Sequence, residues 1–338
     1  MKNGKFLTLG IESSCDETAV AVVADGRELM SNVISSQIDI HTEFGGVVPE
    51  IASRKHLENI NWVIDKALTD AGCTIDEIDL IGVTYGPGLV GALLIGVAAA
   101  KSIAFAKDIP LVGVNHMHGH VAANYLEHPD LEPPFMGLVV SGGHTNIIFV
   151  EEYNTCKKLG GTRDDAAGEA FDKVARVIGL GYPGGPKVDA AAKQGNRDAI
   201  QFKRVYLEAG SYDFSFSGLK TQALNYLNSE KQAGREINVN DVAASFQEAV
   251  VEVIVDKAIA AALEHNQQRI VMAGGVASNS RLRELITERA AAHNIEVLRP
   301  SPILCTDNGA MIAAAAYYAY KNGERSGYDL DAVPGLEF

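Results

Sequence analysis

Hydrophobic and polar residues alternate in two separate segments of the chain, residues 6–23 and residues 137–150. In each segment an apolar strand pattern leads into a short turn of small and polar residues and then into a second apolar strand, which predicts a β-hairpin. The turns carry hydroxyl groups and would expose backbone N–H groups, so two such turns facing each other would clamp an anion. The shared plan predicts an internal repeat, although ordinary hairpins also have small polar residues in their turns.

Elsewhere the apolar residues recur every three or four positions, which predicts helices. We expect helices at residues 89–107, 166–179, 242–264 and 308–322, and strands at residues 80–85 and 269–272. A chain of 338 residues exceeds the size at which one core usually keeps growing, so two lobes are expected. We place the N-terminal lobe at residues 1–114, with the helix at 308–322 returning to it, and the C-terminal lobe at residues 115–307.

The composition is that of a globular protein, since 47% of the residues are hydrophobic. The longest apolar run, residues 89–100, contains glycines and ends at Lys101, so it is too short to cross a bilayer and predicts a buried helix. The first five residues lead into a strand pattern without the apolar core of a signal peptide, which predicts a cytoplasmic protein with no membrane segment. The cysteines at positions 15, 73, 156 and 305 form no closely spaced pair, which argues against a disulfide framework or a zinc ribbon.

The net charge of −14 disfavours broad electrostatic binding to a polyanion. Residues 157–204 are an exception, with ten Lys and Arg against six Asp and Glu and a local net charge of +4. Solvated helix faces commonly carry such runs. The region is nevertheless the best candidate for contact with an acidic partner.

Residues 115–120, Asn-His-Met-His-Gly-His, set two imidazoles four positions apart. On a helix these positions project from nearly the same face, so His116 and His120 can converge on one metal ion while His118 points away. Asp307, in a polar turn before the last predicted helix, is the best candidate for a third ligand. Two imidazoles and one carboxylate leave coordination positions open for a substrate. The alternative is a surface helix that carries three histidines by chance.

A second candidate site begins where the strand at residues 269–272 enters the glycine turn Ala273-Gly274-Gly275-Val276-Ala277-Ser278-Asn279. A helix follows near Arg281. The order strand, glycine turn, helix is common at nucleotide sites, because glycine lets the backbone approach a base or a phosphate. Alone, this pattern is a weak indication.

Eight motifs match one known family, in order, over nearly the whole chain. They lie at residues 10–18, 45–50, 86–91, 116–120, 141–145, 184–186, 214–221 and 305–310. In these motifs the chain resembles the tRNA N6-adenosine threonylcarbamoyltransferases, once described as O-sialoglycoprotein endopeptidases. The resemblance implies an α/β fold of the actin-like ATPase (ASKHA) type, with two RNase-H-like lobes and a nucleotide cleft, which agrees with the repeated hairpin.

The resemblance also implies the cofactors and their ligands. His116, His120 and Asp307 would hold one divalent metal ion per subunit, Fe²⁺ in the first place and Zn²⁺ as the alternative. The second implied cofactor is an adenine nucleotide, either the donor adenylate or ATP or ADP. Its expected contacts are Val139, Val140, Ser141, Gly142, Gly143, Asp172, Gly185, Asp189 and Asn279.

The implied reaction transfers the threonylcarbamoyl group from L-threonylcarbamoyl-adenylate to N6 of the adenosine next to the anticodon, in tRNAs reading codons that start with A, and releases AMP. An aromatic amine is a poor nucleophile, so positioning and stabilisation of negative charge should supply most of the catalysis. No general base is evident. Glu12 and Asp16 are candidates, although both are equally suited to cap the first hairpin turn. tRNA, a degenerate paralogue and a small ATPase are the implied partners.

Rival functions give the same residues other roles. A zinc peptidase of the HExxH kind needs a glutamate beside the first histidine, where this chain has Met117. A sugar or acetate kinase of the same fold has no use for two histidines and Asp307. A small-molecule carbamoyltransferase that uses a similar adenylate, and a nucleotide-dependent scaffold, remain open alternatives.

Overall fold

The computed structural model describes residues 4–338. The prediction that no signal peptide is present rests in part on Met1–Asn3. These three residues lie outside the described residues. The described chain divides into two compact units. The first extends to Pro133 and includes Glu152–Cys156 and Pro300–Phe338, and the second comprises Pro134–Glu151 and Lys157–Arg299.

Both units contain strands and helices. In chain order, the strands are β1 (Leu7–Glu12), β2 (Glu17–Ala24), β3 (Glu28–Ser36), β4 (Leu80–Gly86), β5 (Leu111–Asn115), β6 (Phe135–Val140), β7 (Thr145–Glu152), β8 (Thr155–Gly161), β9 (Arg269–Ala273) and β10 (Glu296–Leu298). The helices are α1 (Ile38–Phe44), α2 (Pro49–Asp70), α3 (Val90–Lys107), α4 (His116–Glu127), α5 (Ala167–Val177), α6 (Gly184–Ala192), α7 (Ser217–Gln232), α8 (Val239–Glu264), α9 (Ser280–Ala291), α10 (Pro302–Cys305) and α11 (Gly309–Lys321). The four predicted helices and the two predicted single strands are confirmed, with ends shifted by a few residues.

Each unit contains a five-stranded sheet, and the two sheets have the same strand order. The first sheet is ordered β3-β2-β1-β4-β5, with antiparallel pairing from β1 to β3 and parallel pairing among β1, β4 and β5. The second is ordered β8-β7-β6-β9-β10, in which β6 pairs antiparallel with β7 and parallel with β9. Strands β1 and β2 therefore occupy the same places as β6 and β7. This equivalence confirms both predicted hairpins and the internal repeat.

The first unit includes helix α4, which differs from the expected lobe boundary near Val114. Helix α4 follows β5 directly and packs against α11, and α11 covers β1, β2 and β4. The helix therefore shares the core of the first sheet. His116, His120 and Asp307, which we expected in a C-terminal lobe at residues 115–307, all belong to the first unit.

Two glycines let α11 lie directly on the first sheet. A Cβ atom on Gly10 would lie 2.2 Å from the carbonyl oxygen of Gly309, and one on Gly82 would lie 2.3 Å from Ala316 Cβ. Any larger residue at either position would push the helix away from the sheet. The start of α11, with Asp307 just before it, is thereby fixed against β1.

Helix α3 is the one helix within residues 4–338 that is long and apolar enough to span a membrane, by length and composition alone. Core helices of soluble proteins pass the same test. In the first unit α3 packs against α2 and β4. Its outer side nevertheless exposes large apolar side chains, those of Val90, Leu94 and Phe105, so the expectation of a fully buried helix is met on one face only.

Candidate metal and nucleotide sites

Helix α4 begins at the histidine motif because Asn115 caps it. Asn115 ends β5, and its side-chain Oδ1 accepts a hydrogen bond from the N–H of Met117 at 2.9 Å. His116 and His120 then lie one helical turn apart, with only 5% and 1% of their surfaces exposed. Their ring centroids are 4.6 Å apart. His118 makes its side-chain hydrogen bond elsewhere, as the helical spacing predicts.

Asp307 reaches these histidines from the turn before α11, which Asn308 caps. Helices α4 and α11 approach closely at Gly119, where a Cβ atom would lie 2.7 Å from a side-chain atom of α11. Asp307 Oδ1 lies 3.5 Å from His116 Nε2 and 3.3 Å from His120 Nε2. The three potential ligand atoms all lie within 4.8 Å of one another. The structure therefore brings the three sequence-predicted ligands together.

The donor atoms of this group fit a divalent transition metal. Both ring nitrogens of His120 are buried and make no hydrogen bond to any described residue, which is unfavourable for an imidazole unless another partner engages it. Two imidazole nitrogens and one carboxylate oxygen suit Fe²⁺ or Zn²⁺, and three protein ligands leave coordination positions open.

Glu12, at the end of β1, links His116 to the first hairpin turn. Its Oε2 lies 3.0 Å from His116 Nδ1 and accepts a hydrogen bond from Thr84 Oγ1 at 2.5 Å, while Oε1 accepts one from Ser14 N–H at 2.5 Å. Burial favours the neutral acid, but His116 outweighs it and lowers the pKa of Glu12. In turn, burial disfavours the imidazolium, but Asp307 and Glu12 raise the pKa of His116 to about 9. A carboxylate at Nδ1 orients the ring and leaves Nε2 for a metal.

Asp16, the other candidate base, has a different environment. Its Oδ2 is buried and has no hydrogen-bond partner among the described residues. Burial raises the pKa of the neighbouring Glu17 well above its usual value, and the charges of Asp16 and Asp307 raise it further. The turn between β1 and β2 is therefore rich in carboxylates beside the metal ligands, and it is unsuited to bind an anion directly.

The residues expected to bind the donor all lie in the second unit. Val139 and Val140 end β6 with fully buried side chains, so only their backbone groups are available to a ligand. Ser141 begins the turn, and its Oγ accepts a hydrogen bond from a backbone N–H of the same turn at 3.2 Å. Gly142 and Gly143 are exposed, with open space beside their Cα atoms. This turn can present N–H groups to phosphate oxygens.

Asp172 and Gly185 meet at the start of α6. Asp172 lies on α5, and its Oδ1 accepts a hydrogen bond from the N–H of Gly184 at 2.6 Å. Burial raises the pKa of Asp172, although hydrogen bonds from the backbone of Gly184 and Gly185 oppose the shift. The space beside the Gly185 Cα is open. Asp172 therefore fixes the first turn of α6, and Gly185 leaves room for a ligand beside it.

Asp189 and Asn279 meet at the start of α9. Asp189 Oδ1 accepts hydrogen bonds from the N–H and the hydroxyl of Ser280, at 3.2 and 2.7 Å. Asn279 caps α9 by accepting a hydrogen bond from Leu282 N–H at 3.0 Å, and its Nδ2 donates to Gln247 Oε1 at 2.7 Å. The two predicted residues are thus brought together by contacts that also build the glycine turn.

A cavity of about 310 Å³ adjoins this pair, with Gln247 and Ser280 in its wall. Glu248 and Arg281 also line the cavity and form a two-point ion pair, with N–O distances of 2.6 and 2.7 Å. Burial alone would raise the pKa of Glu248, but Arg281 outweighs burial and lowers it. The cavity is polar and has the volume of a small-molecule pocket.

Sequence reasoning missed Thr84, Gln247 and Ser280. Thr84 has no local signal, because its partner Glu12 is 72 residues away. Gln247 was detectable in principle, since it stands with Glu248 in the otherwise apolar stretch of α8. Ser280 directly follows the helix cap Asn279, and its partner Asp189 is 91 residues away, so it too has no local signal.

Comparison with known proteins agrees with the motifs. A model of the family TsaD, tRNA N6-adenosine threonylcarbamoyltransferase, matches residues 28–314. A relative of that name from Clostridium perfringens (strain SM101 / Type A) is 59% identical over 332 residues, which are 98% of this chain and 98% of the relative. Another of that name, from Clostridium botulinum (strain Hall), is 59% identical over 329 residues, 97% of each chain.

Several solved structures share the fold at low sequence identity. HypF in its phosphate- and nucleotide-bound form matches with a TM-score of 0.62 at 15% identity, over 94% of this chain and 47% of that one. HypF from T. kodakarensis matches with a TM-score of 0.64 at 14% identity, over 94% and 48%. The activator of 2-hydroxyisocaproyl-CoA dehydratase from Clostridium difficile with bound ADPNP matches with a TM-score of 0.53 at 13% identity, over 94% and 97%. Together with the repeated sheet order, these matches confirm the predicted actin-like ATPase fold.

Proposed function

The chain belongs to the tRNA N6-adenosine threonylcarbamoyltransferase family, and from this we propose that it transfers a threonylcarbamoyl group to N6 of the adenosine next to the anticodon, in tRNAs reading codons that start with A. The proposed donor is L-threonylcarbamoyl-adenylate. The observation that carries the proposal is the convergence of His116, His120 and Asp307 in a chain that also has a glycine turn suited to a nucleotide. A kinase of the same fold has no role for these three ligands.

The reaction is an acyl transfer from a mixed anhydride of a carbamate and AMP. The N6 amine attacks the carbamoyl carbon, the new C–N bond forms, the bond from that carbon to the phosphate oxygen breaks, and AMP leaves with the electron pair. N6 loses one proton. Because the amine is a weak nucleophile, the protein must align it with the carbonyl and stabilise the negative charge that develops on oxygen.

The metal ligands of the first unit would be His116, His120 and Asp307. When bound, Fe²⁺ or Zn²⁺ would supply a Lewis acid at this position. The chain itself contributes the preformed arrangement, with the three ligand atoms within 4.8 Å of one another. Glu12 contributes the ring orientation of His116, through the contact of 3.0 Å to Nδ1.

The second unit would bind the adenylate. We assign the phosphate to the N–H groups of Gly142 and Gly143, which are exposed at the end of β6. Asp189 and Asn279 suit the ribose and the base, since both provide hydrogen-bonding groups at a glycine turn. We assign the base to the adjoining cavity of about 310 Å³. There Gln247 retains its Nε2 as a donor, because Oε1 already accepts from Asn279.

For the proton on N6 we propose Asp16 rather than Glu12 as the acceptor. Glu12 is fully buried and engaged on both oxygens, which makes it a positioning residue. Asp16 has an oxygen without a hydrogen-bond partner among the described residues. That oxygen is buried, so Asp16 can act as a general base only if the turn opens enough to bring the oxygen within reach of the proton.

Contact with tRNA is assigned to the basic region at residues 157–204. Four of its cations, Arg163, Lys173, Lys193 and Arg204, are engaged in ion pairs with acidic side chains. Arg197 and Lys203 are among the exposed cations of the region for which residues 4–338 show no ion pair, and they lie close together in the sequence. We therefore assign phosphate contacts to these two. The net charge of −14 makes partner proteins necessary for further contacts, and we propose a paralogue and a small ATPase in that role, all in the cytoplasm and away from membranes.

Charge reversal tests the tRNA surface. Arg197→Glu combined with Lys203→Glu should raise the tRNA dissociation constant and reduce the salt dependence of binding by about one unit of slope per lost contact. Lys231→Glu, an equal change at an exposed residue outside the region, is the control. Unchanged affinity and slope in the double variant would exclude this surface.

The reaction itself is tested by mass spectrometry of nucleosides. Unmodified tRNA is incubated with the metal-loaded protein and synthetic threonylcarbamoyl-adenylate, with and without a lysate that supplies partners. We expect threonylcarbamoyladenosine to appear, to be lost in His116→Ala and to persist in His293→Ala, which removes an exposed histidine of the second unit.

The other outcomes separate the rival functions. Failure to form product even with partners would favour a carbamoyltransferase for a small acceptor, which a screen of free amines with the same donor would identify. Nucleotide binding without any transfer, after the metal has been restored, would favour a scaffold.

A further inference from the structure

The last part of the chain, residues 323–338, runs along the edge of the first sheet and is called the strap here. Ser326 N–H donates to Leu111 O at 2.8 Å, and Ser326 Oγ accepts from Gly113 N–H at 2.9 Å. These bonds satisfy backbone groups of β5, the last strand of that sheet. Leu330 packs against the buried core, and its carbonyl oxygen accepts a hydrogen bond from Lys101 Nζ at 2.9 Å. The strap is therefore an integral part of the first unit.

Further along, the strap contacts one of the two elements that support His116. Val333 N–H donates to the carbonyl oxygen of Tyr85, in β4, at 2.7 Å. Tyr85 directly follows Thr84, whose hydroxyl holds Glu12 in place. The strap thus lies against the strand that supports the carboxylate behind the histidine.

The second contact is at Asn115, the cap of α4. Asn115 Nδ2 donates to the carbonyl oxygen of Glu337 at 2.8 Å, while its Oδ1 accepts from Met117 N–H at 2.9 Å. A single side chain therefore joins the strap to the first turn of the helix. The ring of Phe338 also lies 5.1 Å from the ring of His118, between centroids.

We propose that the strap positions the metal ligands, with Asn115 as the positioning residue. The inference rests on the metal site of the proposed function. Helix α4 is held by α11 near Gly119, and Glu12 holds the ring of His116. The backbone at the start of the helix lies before the first of these contacts and has a further restraint. The bond from Asn115 to the strap supplies it, and so sets where His116 Nε2 lies relative to Asp307. Asn115 itself is not one of the three candidate metal ligands.

Two changes remove this bond from opposite sides. Asn115→Ser keeps a capping hydroxyl but loses the donor, and deletion of residues 337–338 removes the acceptor. Each should raise the dissociation constant for Co²⁺ alone, measured by competition with a chromophoric chelator, by about 3- to 10-fold, less than the loss of a direct partner of a ligand. Combined, they should weaken binding no more than the deletion alone, because both remove one interaction.

Glu337→Ala is the matched control, since the contact uses the backbone carbonyl, and it should bind Co²⁺ like the wild type. Thermal unfolding of the metal-free proteins shows whether each variant folds. If the deletion unfolds the chain, the Co²⁺ affinity of Asn115→Ser alone tests the proposal. The proposed role of the strap would be overturned by any of three results: wild-type Co²⁺ affinity in Asn115→Ser, additive losses of affinity in the combined variant, or weakened binding in the control. None of these results would count against the metal site itself. Failure of the wild type itself to bind Co²⁺ would remove the metal site and the strap with it.

Discussion

Replacement of Glu12 by glutamine distinguishes a carboxylate that orients His116 from one that accepts the substrate proton. Glutamine preserves the size of the side chain and can still accept the Ser14 N–H bond. It presents a neutral amide to His116 Nδ1, which lies 3.0 Å from Oε2 in the native protein. The charge-assisted hydrogen bond that fixes the ring is lost.

The size of the effect follows from the surroundings of Glu12. An outer-sphere partner of a metal-bound imidazole is typically worth about 10- to 100-fold in metal affinity, or about 1.4–2.7 kcal/mol. Glu12 is 0% exposed, so water cannot replace the lost interaction, and we expect the upper half of that range. Thr84→Val keeps the carboxylate and removes only one hydroxyl donor. This change should weaken the free energy of metal binding by about 0.5–1.5 kcal/mol, which corresponds to a rise in the dissociation constant of roughly tenfold at most.

The assay is equilibrium binding of Co²⁺ to both variants, with the absorption spectrum of the bound ion as a report on ligand geometry. Denaturant unfolding of the metal-free proteins verifies that Glu12→Gln still folds. If Glu12→Gln binds Co²⁺ as tightly as the native chain but turnover collapses, the orienting role is refuted and proton transfer by Glu12 is favoured.

Three further changes test other parts of the structure. Burial raises the pKa of Asp164, but hydrogen bonds from hydroxyl and backbone N–H groups outweigh burial and lower it. Asp164→Asn should therefore lower the free energy of unfolding by about 1 kcal/mol near pH 7, after allowance for solvent screening. Because the folded pKa is depressed, this contribution is present above the unfolded pKa and is lost as the pH falls through the folded pKa, so the difference in unfolding free energy should shrink progressively as the pH is lowered through the acidic range. A difference that stays constant with pH would contradict the assignment. Gly10→Ala places a Cβ atom 2.2 Å from Gly309 O and should lower the free energy of unfolding by about 3 kcal/mol or more. The control is Gly218→Ala, where a Cβ atom has room and should not destabilise the chain. Equal unfolding midpoints for the two variants would show that α11 can shift. Gln247→Leu should raise the dissociation constant of AMP about tenfold in calorimetry, and an unchanged value would separate the cavity from the nucleotide.

Local patterns identified the elements whose signal is contained in adjacent residues. The hairpins at β1–β2 and β6–β7 were predictable because alternation and turn residues lie within a single short segment. The lobe boundary was not, since nothing within residues 116–127 shows that α4 packs on α11. That packing depends on Gly119 and on the glycines of β1 and β4, which act only once the sheet has formed.

The metal site shows the same difference between residues with a local sequence signal and residues whose contacts form only in the folded chain. His116 and His120 could be paired from the helical period alone. Asp307 was a candidate because of its polar turn, and the structure places its Oδ1 3.5 Å from His116 Nε2 and 3.3 Å from His120 Nε2. The contact of Glu12 with His116 was beyond reach, because 104 residues separate the two. Its position at a hairpin turn indicated a cap, and the structure shows one oxygen acting as that cap and the other facing the histidine.

The two copies of the hairpin place different chemistry at equivalent positions of equivalent sheets. The turn after β1 brings Asp16 and Glu17 close to Asp307, and burial together with these like charges raises the pKa of Glu17. Carboxylates so arranged attract a cation and repel a phosphate. The turn after β6 has exposed glycines and no acidic residue, so its N–H groups can accept an anion. The expectation that both turns clamp one anion followed from their shared backbone plan. From the side chains we propose instead that the first turn serves the metal ion and the second turn binds the phosphate.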